Sequence, residues 1–221
     1  MALSASNIAS KGSGILVAVF SAGVALVSYR YLSPDTHIPK VIAGNAFPLS
    51  WLMVHAGAAA TALLLGPWQF WRSLRARFPR VHRWSGRVYV MACLIAGAAG
   101  FVLALGASTG VVTTLGFGVL SIIWIHTTAM AWRLALRRDF VAHRRWMIRS
   151  FALTFAAVTL RLYLPASVAL QLPFEDSYRA ISFLCWVPNL LAVEWFLRRQ
   201  QSYPIGSAAV LQSGGALDSR G

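Results

Sequence analysis

Twelve arginines sit in two short segments, and the long stretches around them are apolar and almost uncharged. The first segment carries Arg72, Arg75, Arg77, Arg80, Arg83 and Arg87, and the second Arg133, Arg137, Arg138, Arg144, Arg145 and Arg149. An apolar run of about 18 residues or more is the natural unit of a bilayer-crossing helix. Lys and Arg beside such a run resist translocation. The pattern predicts an all-α integral membrane six-helix bundle with both arginine loops, and both the N-terminus and the C-terminus, cytoplasmic. The spans are predicted at 14–32, 50–71, 84–106, 111–132, 146–164 and 178–197. Residues 1–13 then form a cytoplasmic N-terminal segment, 14–199 the six-span transmembrane domain, and 200–221 a disordered cytoplasmic tail, Ser- and Gly-rich and too poor in apolar residues to pack.

Only 12% of the 221 residues are charged, about half the share in a soluble domain. The net charge of +14 suggests nucleic acid when spread over a soluble surface. Here it is concentrated beside spans, so the predicted partners are the lipid bilayer and anionic lipid at the arginine loops, with no nucleic acid. Arg30 and Lys40 fall on the outer side with Glu175 and Asp176, and the two arginine loops outweigh them. Trp68, Trp71, Trp84, Trp132 and Trp146 gather at the arginine end as an interfacial aromatic belt. Cys93 and Cys185 lie inside spans and read as small buried hydrophobes. Span one is long for a signal peptide, its basic region is weak and no small-x-small cleavage site follows. It is read as retained, with removal as the alternative. Small residues crowd spans two and three (Ala56 to Ala60, Ala96 to Gly100), which allows close helix approach in lipid.

Four of the five histidines sit in or at the edges of spans: His55, His82, His126 and His143. An ionisable group at membrane depth is a functional hypothesis by default, and imidazole is a standard ligand for haem iron and other metals. A faint repeat relates His55, an arginine loop and His82 to His126, an arginine loop and His143. No P-loop, dinucleotide fingerprint or hydrolase elbow is present, and no Cys-x-x-Cys-His site for covalent haem. A soluble-type catalytic site is not expected, and enzymatic activity is left open.

The runs His55-Ala56-Gly57, Leu65-Gly66-Pro67-Trp68-Gln69-Phe70 and His82-Arg83-Trp84-Ser85-Gly86-Arg87 resemble a bacterial family of predicted membrane proteins, domain of unknown function 2306. The run His143-Arg144-Arg145-Trp146-Met147-Ile148-Arg149, the segment Cys185-Trp186-Val187-Pro188-Asn189 and Glu194 fit the same pattern. This resemblance covers residues 50–197. It implies a multi-pass protein of the bacterial cytoplasmic (inner) membrane and no established activity. The histidine count and order are also similar to those of the ascorbate-reducible two-haem cytochromes b, which carry one haem-binding histidine on each of spans two to five. That similarity implies haem b, with His55 paired to His126 and His82 to His143. It also implies Arg87 and Arg149 neutralising propionates, and a quinol or other small reductant as redox partner. A single haem or metal held by some pair among His82, His126 and His143 is the alternative cofactor site.

Counting to the arginines gives depth. His126 lies ~10 Å from the arginine end of its span and His55 ~25 Å, at 1.5 Å per residue. Spans two and four are parallel, so these histidines are predicted at different levels, whereas two axial ligands of one iron must be level. Arg161 is expected to snorkel outward or to pair with Glu175 or Asp176, with an anionic ligand as the alternative. Glu194 is expected to pair with Arg198 one helical turn away. Asn189 follows Pro188, which frees a backbone carbonyl, and is expected to satisfy a neighbouring helix. Two functions follow: electron transfer by b-type haem within the membrane, or a non-enzymatic assembly, transport or sensing role with structural histidines and lipid-binding arginine loops.

Overall fold

The computed structural model describes residues 2–33 and 36–201; most of the predicted tail, residues 202–221, lies outside them. Among the described residues every regular element is helical. They are α1 (Ala2–Ser28), a 3₁₀ turn (Tyr29–Leu32), α2 (Lys40–Ala43), α3 (Leu49–Gln69), α4 (Arg72–Arg77), α5 (Pro79–Leu105), α6 (Val111–Leu136), α7 (Phe140–Thr154), α8 (Ala156–Ala169), α9 (Phe174–Leu184) and α10 (Val187–Gln201). Six stretches are long and apolar enough to cross a bilayer: Gly12–Leu32, Leu49–Gln69, Pro79–Leu105, Val111–Leu136, Phe140–Ala169 and Phe174–Gln200.

Several helices outrun the predicted spans. Span three starts at Pro79 and span five at Phe140, so His82 and His143 each lie in the first turn of a helix that begins before the predicted span. Arginine ends a hydropathic run but is a good helix former; the helices stop at caps instead. Pro79 occupies the first position of α5, where its missing N–H is no loss. The Asp139 carboxylate accepts from the Ala142 N–H at 3.0 Å and caps α7. Between α5 and α6, Gly110 takes φ +90°, a conformation that glycine supplies without strain.

The closest packing joins α3 to α5, then α5 to α6 and α6 to α7. Small residues make it possible, as expected: Ala56, Ala60, Ala62, Ala92, Ala96 and Ala99 are all buried. Hydroxyl groups then link the helices at the centre. Tyr89 Oη lies 3.0 Å from both Ser150 Oγ and Thr154 Oγ1. Thr128 Oγ1 lies 2.7 Å from Ser150 Oγ, and Trp124 Nε1–H donates to Thr154 Oγ1 at 3.0 Å. Lipid supplies no hydrophobic drive between helices, so packing and such polar links hold the bundle.

Spans five and six are each broken, at Phe155 and at Cys185–Trp186. In span six Pro188 cannot donate to the Leu184 carbonyl. Asn189 Nδ2 donates instead to the Cys185 carbonyl (3.0 Å), to Thr159 Oγ1 (3.2 Å) and to the Ala152 carbonyl (3.4 Å), meeting the neighbouring helix as expected. In span five the Thr154 hydroxyl donates to the Ser150 carbonyl of the preceding turn at 2.9 Å, which bends helices. Thr159 Oγ1 also donates to the Cys185 carbonyl at 2.5 Å, so the two breaks face each other and are fastened together.

Candidate functional site

The bundle encloses a cavity of about 620 Å³. Its walls come from all six spans and from the connection between spans one and two. The cavity occupies the half of the molecule away from the arginine clusters and reaches inward to Leu63, Trp124 and Thr154. The break in span five and Cys185 of span six lie on its wall. Non-helical backbone at membrane depth is tolerated where it is buried in protein or lines a cavity, and here it does both.

Hydrogen bonds fasten the segments around the rim of the cavity to one another. Asn45 Nδ2 donates to the Leu103 carbonyl at 2.7 Å, and the Ala46 N–H to the Gly106 carbonyl at 3.0 Å. Arg179 Nε–H donates to the Thr109 carbonyl at 3.0 Å. The same guanidinium takes both nearby acids, Asp176 at 2.9 Å and Glu175 at 3.1 Å. Arg161 therefore does not pair with them, contrary to the sequence expectation. Span five continues to Ala169, because Pro165 sits near its end rather than stopping it. Arg161 is thus ~12 Å inside the helix terminus at 1.5 Å per residue. That is deeper than expected. It lines the cavity, and its Nη1–H donates to the Ala157 carbonyl at 3.1 Å.

Of the four intramembrane histidines, only His55 reaches the cavity wall. Its Nδ1 lies 2.8 Å from the Ala96 carbonyl oxygen, leaving Nε2 as the free nitrogen. A Cβ on Gly100 would stand 2.9 Å from the His55 ring and 3.3 Å from Ser121 Oγ. His55 is therefore level with Ser121, and His126 lies ~7.5 Å further along α6 at 1.5 Å per residue. His126 is exposed on the outside of the bundle, edge-on to Trp146 with ring centroids 5.6 Å apart. Two axial ligands on one iron cannot stand so, and the two-haem arrangement does not fit these residues.

His82 and His143 lie near each other at the arginine end, close enough to interact electrostatically. His143 Nδ1 is 2.8 Å from the Ala131 carbonyl oxygen. His82 Nδ1 is buried without a hydrogen-bond partner. Among the described residues no three His, Cys, Asp or Glu side chains are placed to share a metal ion. His82, His126 and His143 therefore do not gather as a trio.

Both arginines assigned to propionates have protein partners in the structure. Arg87 lies over the Trp84 ring at 4.8 Å. Arg149 lies over Trp146 at 4.9 Å and grips Glu194 with two bonds, Nε to Oε1 at 2.5 Å and Nη2 to Oε2 at 3.0 Å. Glu194 was expected to pair with Arg198; its two-bond grip is on Arg149, because the fork geometry of a guanidinium matches a carboxylate. Both residues border a cleft of about 300 Å³ with Arg145 and Arg198. Two tryptophans of the expected aromatic belt, Trp84 and Trp146, are thus partners of arginines. Trp68 and Trp71 stack on each other at 5.3 Å.

The sequence reading passed over Tyr31, Ser121, Trp124, Thr154 and Tyr178, all of which line the cavity. A signal existed for part of this set. Ser121, Trp124 and Thr128 recur at three- and four-residue steps on α6, which places them on one face.

A bundle of six bilayer-length helices around an internal cavity defines a multi-pass helical membrane protein. The chain belongs to the family described as Predicted membrane protein (DUF2306), which matches residues 52–197. No curated protein and no solved structure matches it.

Proposed function

We propose that this protein binds a membrane-dissolved small molecule in the central cavity, in the service of transport or sensing. The observation that carries this reading is the cavity itself: about 620 Å³, within the range of small-molecule sites, with apolar walls and a few polar groups. The fastened breaks of spans five and six add to it, since broken spans border the substrate sites of many transporters. In this reading the arginine end is cytoplasmic, by the positive-inside rule, in the inner membrane of a bacterium. The cavity then opens toward the outer face. The cleft at Arg145, Arg149 and Arg198 suits an anionic lipid headgroup.

The test is thermal unfolding of the purified protein against fractions of a bacterial membrane extract. A guest that binds the folded state raises Tm. The shift is expected with wild type and lost with Ala157→Phe, which puts a ring into the cavity. No shift from any fraction would sink the reading.

A second reading retains a redox role and rests on one observation. His82 Nδ1 is buried without a partner beside His143, as a ligand pair waiting for a single haem or metal would be. An oxidised-minus-reduced spectrum with metal analysis decides it. Sharp α and Soret bands lost in His82→Ala support it, and a flat spectrum from haem-replete cells removes it.

A further inference from the structure

We infer that the guest of the central cavity is a single-chain amphiphile whose acidic head, carboxylate or phosphate, is held by Arg161. The inference rests on the binding reading above and adds the chemical class of the guest. Three observations support it.

The first is the state of Arg161. A guanidinium within a span is expensive unless paired. Among the described residues this one makes a single hydrogen bond, to the Ala157 carbonyl, and no salt bridge. Its two expected acids, Glu175 and Asp176, are both occupied by Arg179. Most of its five N–H donors are left to face the cavity.

The second is the sign of the lining. Arg30 and Arg161 both contribute to the wall, and no Asp or Glu does among the described residues. Arg30 is held toward Tyr31, with Nη2–H donating to the Tyr31 hydroxyl at 3.2 Å and the guanidinium 5.0 Å from the ring centre. The end of the cavity near these residues is positive. Arginine's planar fork suits carboxylate and phosphate alike.

The third is the gradient along the cavity. Inward of Arg161 the wall is mostly apolar, with Ala60, Leu63 and Leu153 beside Trp124 and Thr154. A head at Arg161 therefore extends its chain toward the middle of the bundle. A cavity of about 620 Å³ has room for one acyl chain.

The test titrates the full-length protein in detergent with palmitate, hexadecyl phosphate and hexadecanol, read by native mass spectrometry. The expected result is at least ten-fold tighter binding of one or both anions than of the alcohol. Arg161→Gln should abolish that preference without changing the affinity for hexadecanol, and Arg161→Lys should keep most of it. The tighter anion identifies the head as carboxylate or phosphate. Equal binding of all three by wild type overturns the acidic head and leaves the cavity reading intact. So does a preference that survives in folded Arg161→Gln. Binding of none overturns the amphiphile inference, and the membrane-extract experiment then decides the cavity reading by itself. If Arg161→Gln does not fold, the wild-type comparison of anion with alcohol decides alone.

Discussion

Tyr89 is fully buried, and its hydroxyl meets Ser150 and Thr154 on another helix. In a bilayer such links contribute modestly, since the unfolded chain also finds partners. Tyr89→Phe is expected to lower stability by about 1 kcal/mol, measured by equilibrium unfolding in mixed micelles. Gly66 works by absence instead: a Cβ there would run into the Phe151 ring and press on Tyr89. Gly66→Val should therefore lose about 1–3 kcal/mol by overpacking in the same measurement. At this scale the sequence was partly legible. His55 and Arg161 stood out as ionisable groups in apolar runs, and counting residues to the arginines separated His55 from His126 in depth. Glu194 was not legible in the same way. Spacing along its own helix offered Arg198, and only the docking of α10 on α7 brings Arg149 within reach. Tyr31 and Tyr178 were hidden because aromatics near a membrane surface are ordinary, and nothing local marks the ones that turn inward.

The spans could be counted from hydropathy, and all six appear as helices. Their ends could not, because hydropathy falls where charge begins while helices end where a cap or a proline stops them. The break in span six was visible as Pro188 followed by Asn189. The break in span five carries no proline at Phe155. It arises from a hydroxyl competing for a backbone carbonyl, a signal too common to read in one sequence. Asn189 serves both broken spans at once through Cys185, Thr159 and Ala152. Asn189→Leu should therefore cost about 1 kcal/mol and loosen the two spans together. Hydrogen exchange should show this as faster exchange around both Ala152 and Cys185, whereas faster exchange at Cys185 alone would mean that the breaks are independent.

For the whole molecule, the arginine clusters at one end and the cavity toward the other make orientation testable. Ser73 lies in the exposed first arginine loop and Gln171 in the exposed connection between α8 and α9. Cysteines placed there stand out against Cys93 and Cys185, which are both buried. A membrane-impermeant maleimide should label Gln171→Cys in intact cells, and Ser73→Cys only after permeabilisation; the reverse pattern would invert the protein. Span one contributes to the cavity wall through Val27 and Ser28. Yet it buries the least of itself, 17% against 50% for span three, and leans mainly on α3. Segments with few buried contacts open at the lowest free energy. On the proposed reading, a guest arriving sideways from the lipid would meet this helix first. How firmly the guest is held would be written in span five, and how long it stays in span one, so evolution can tune dwell time without touching affinity.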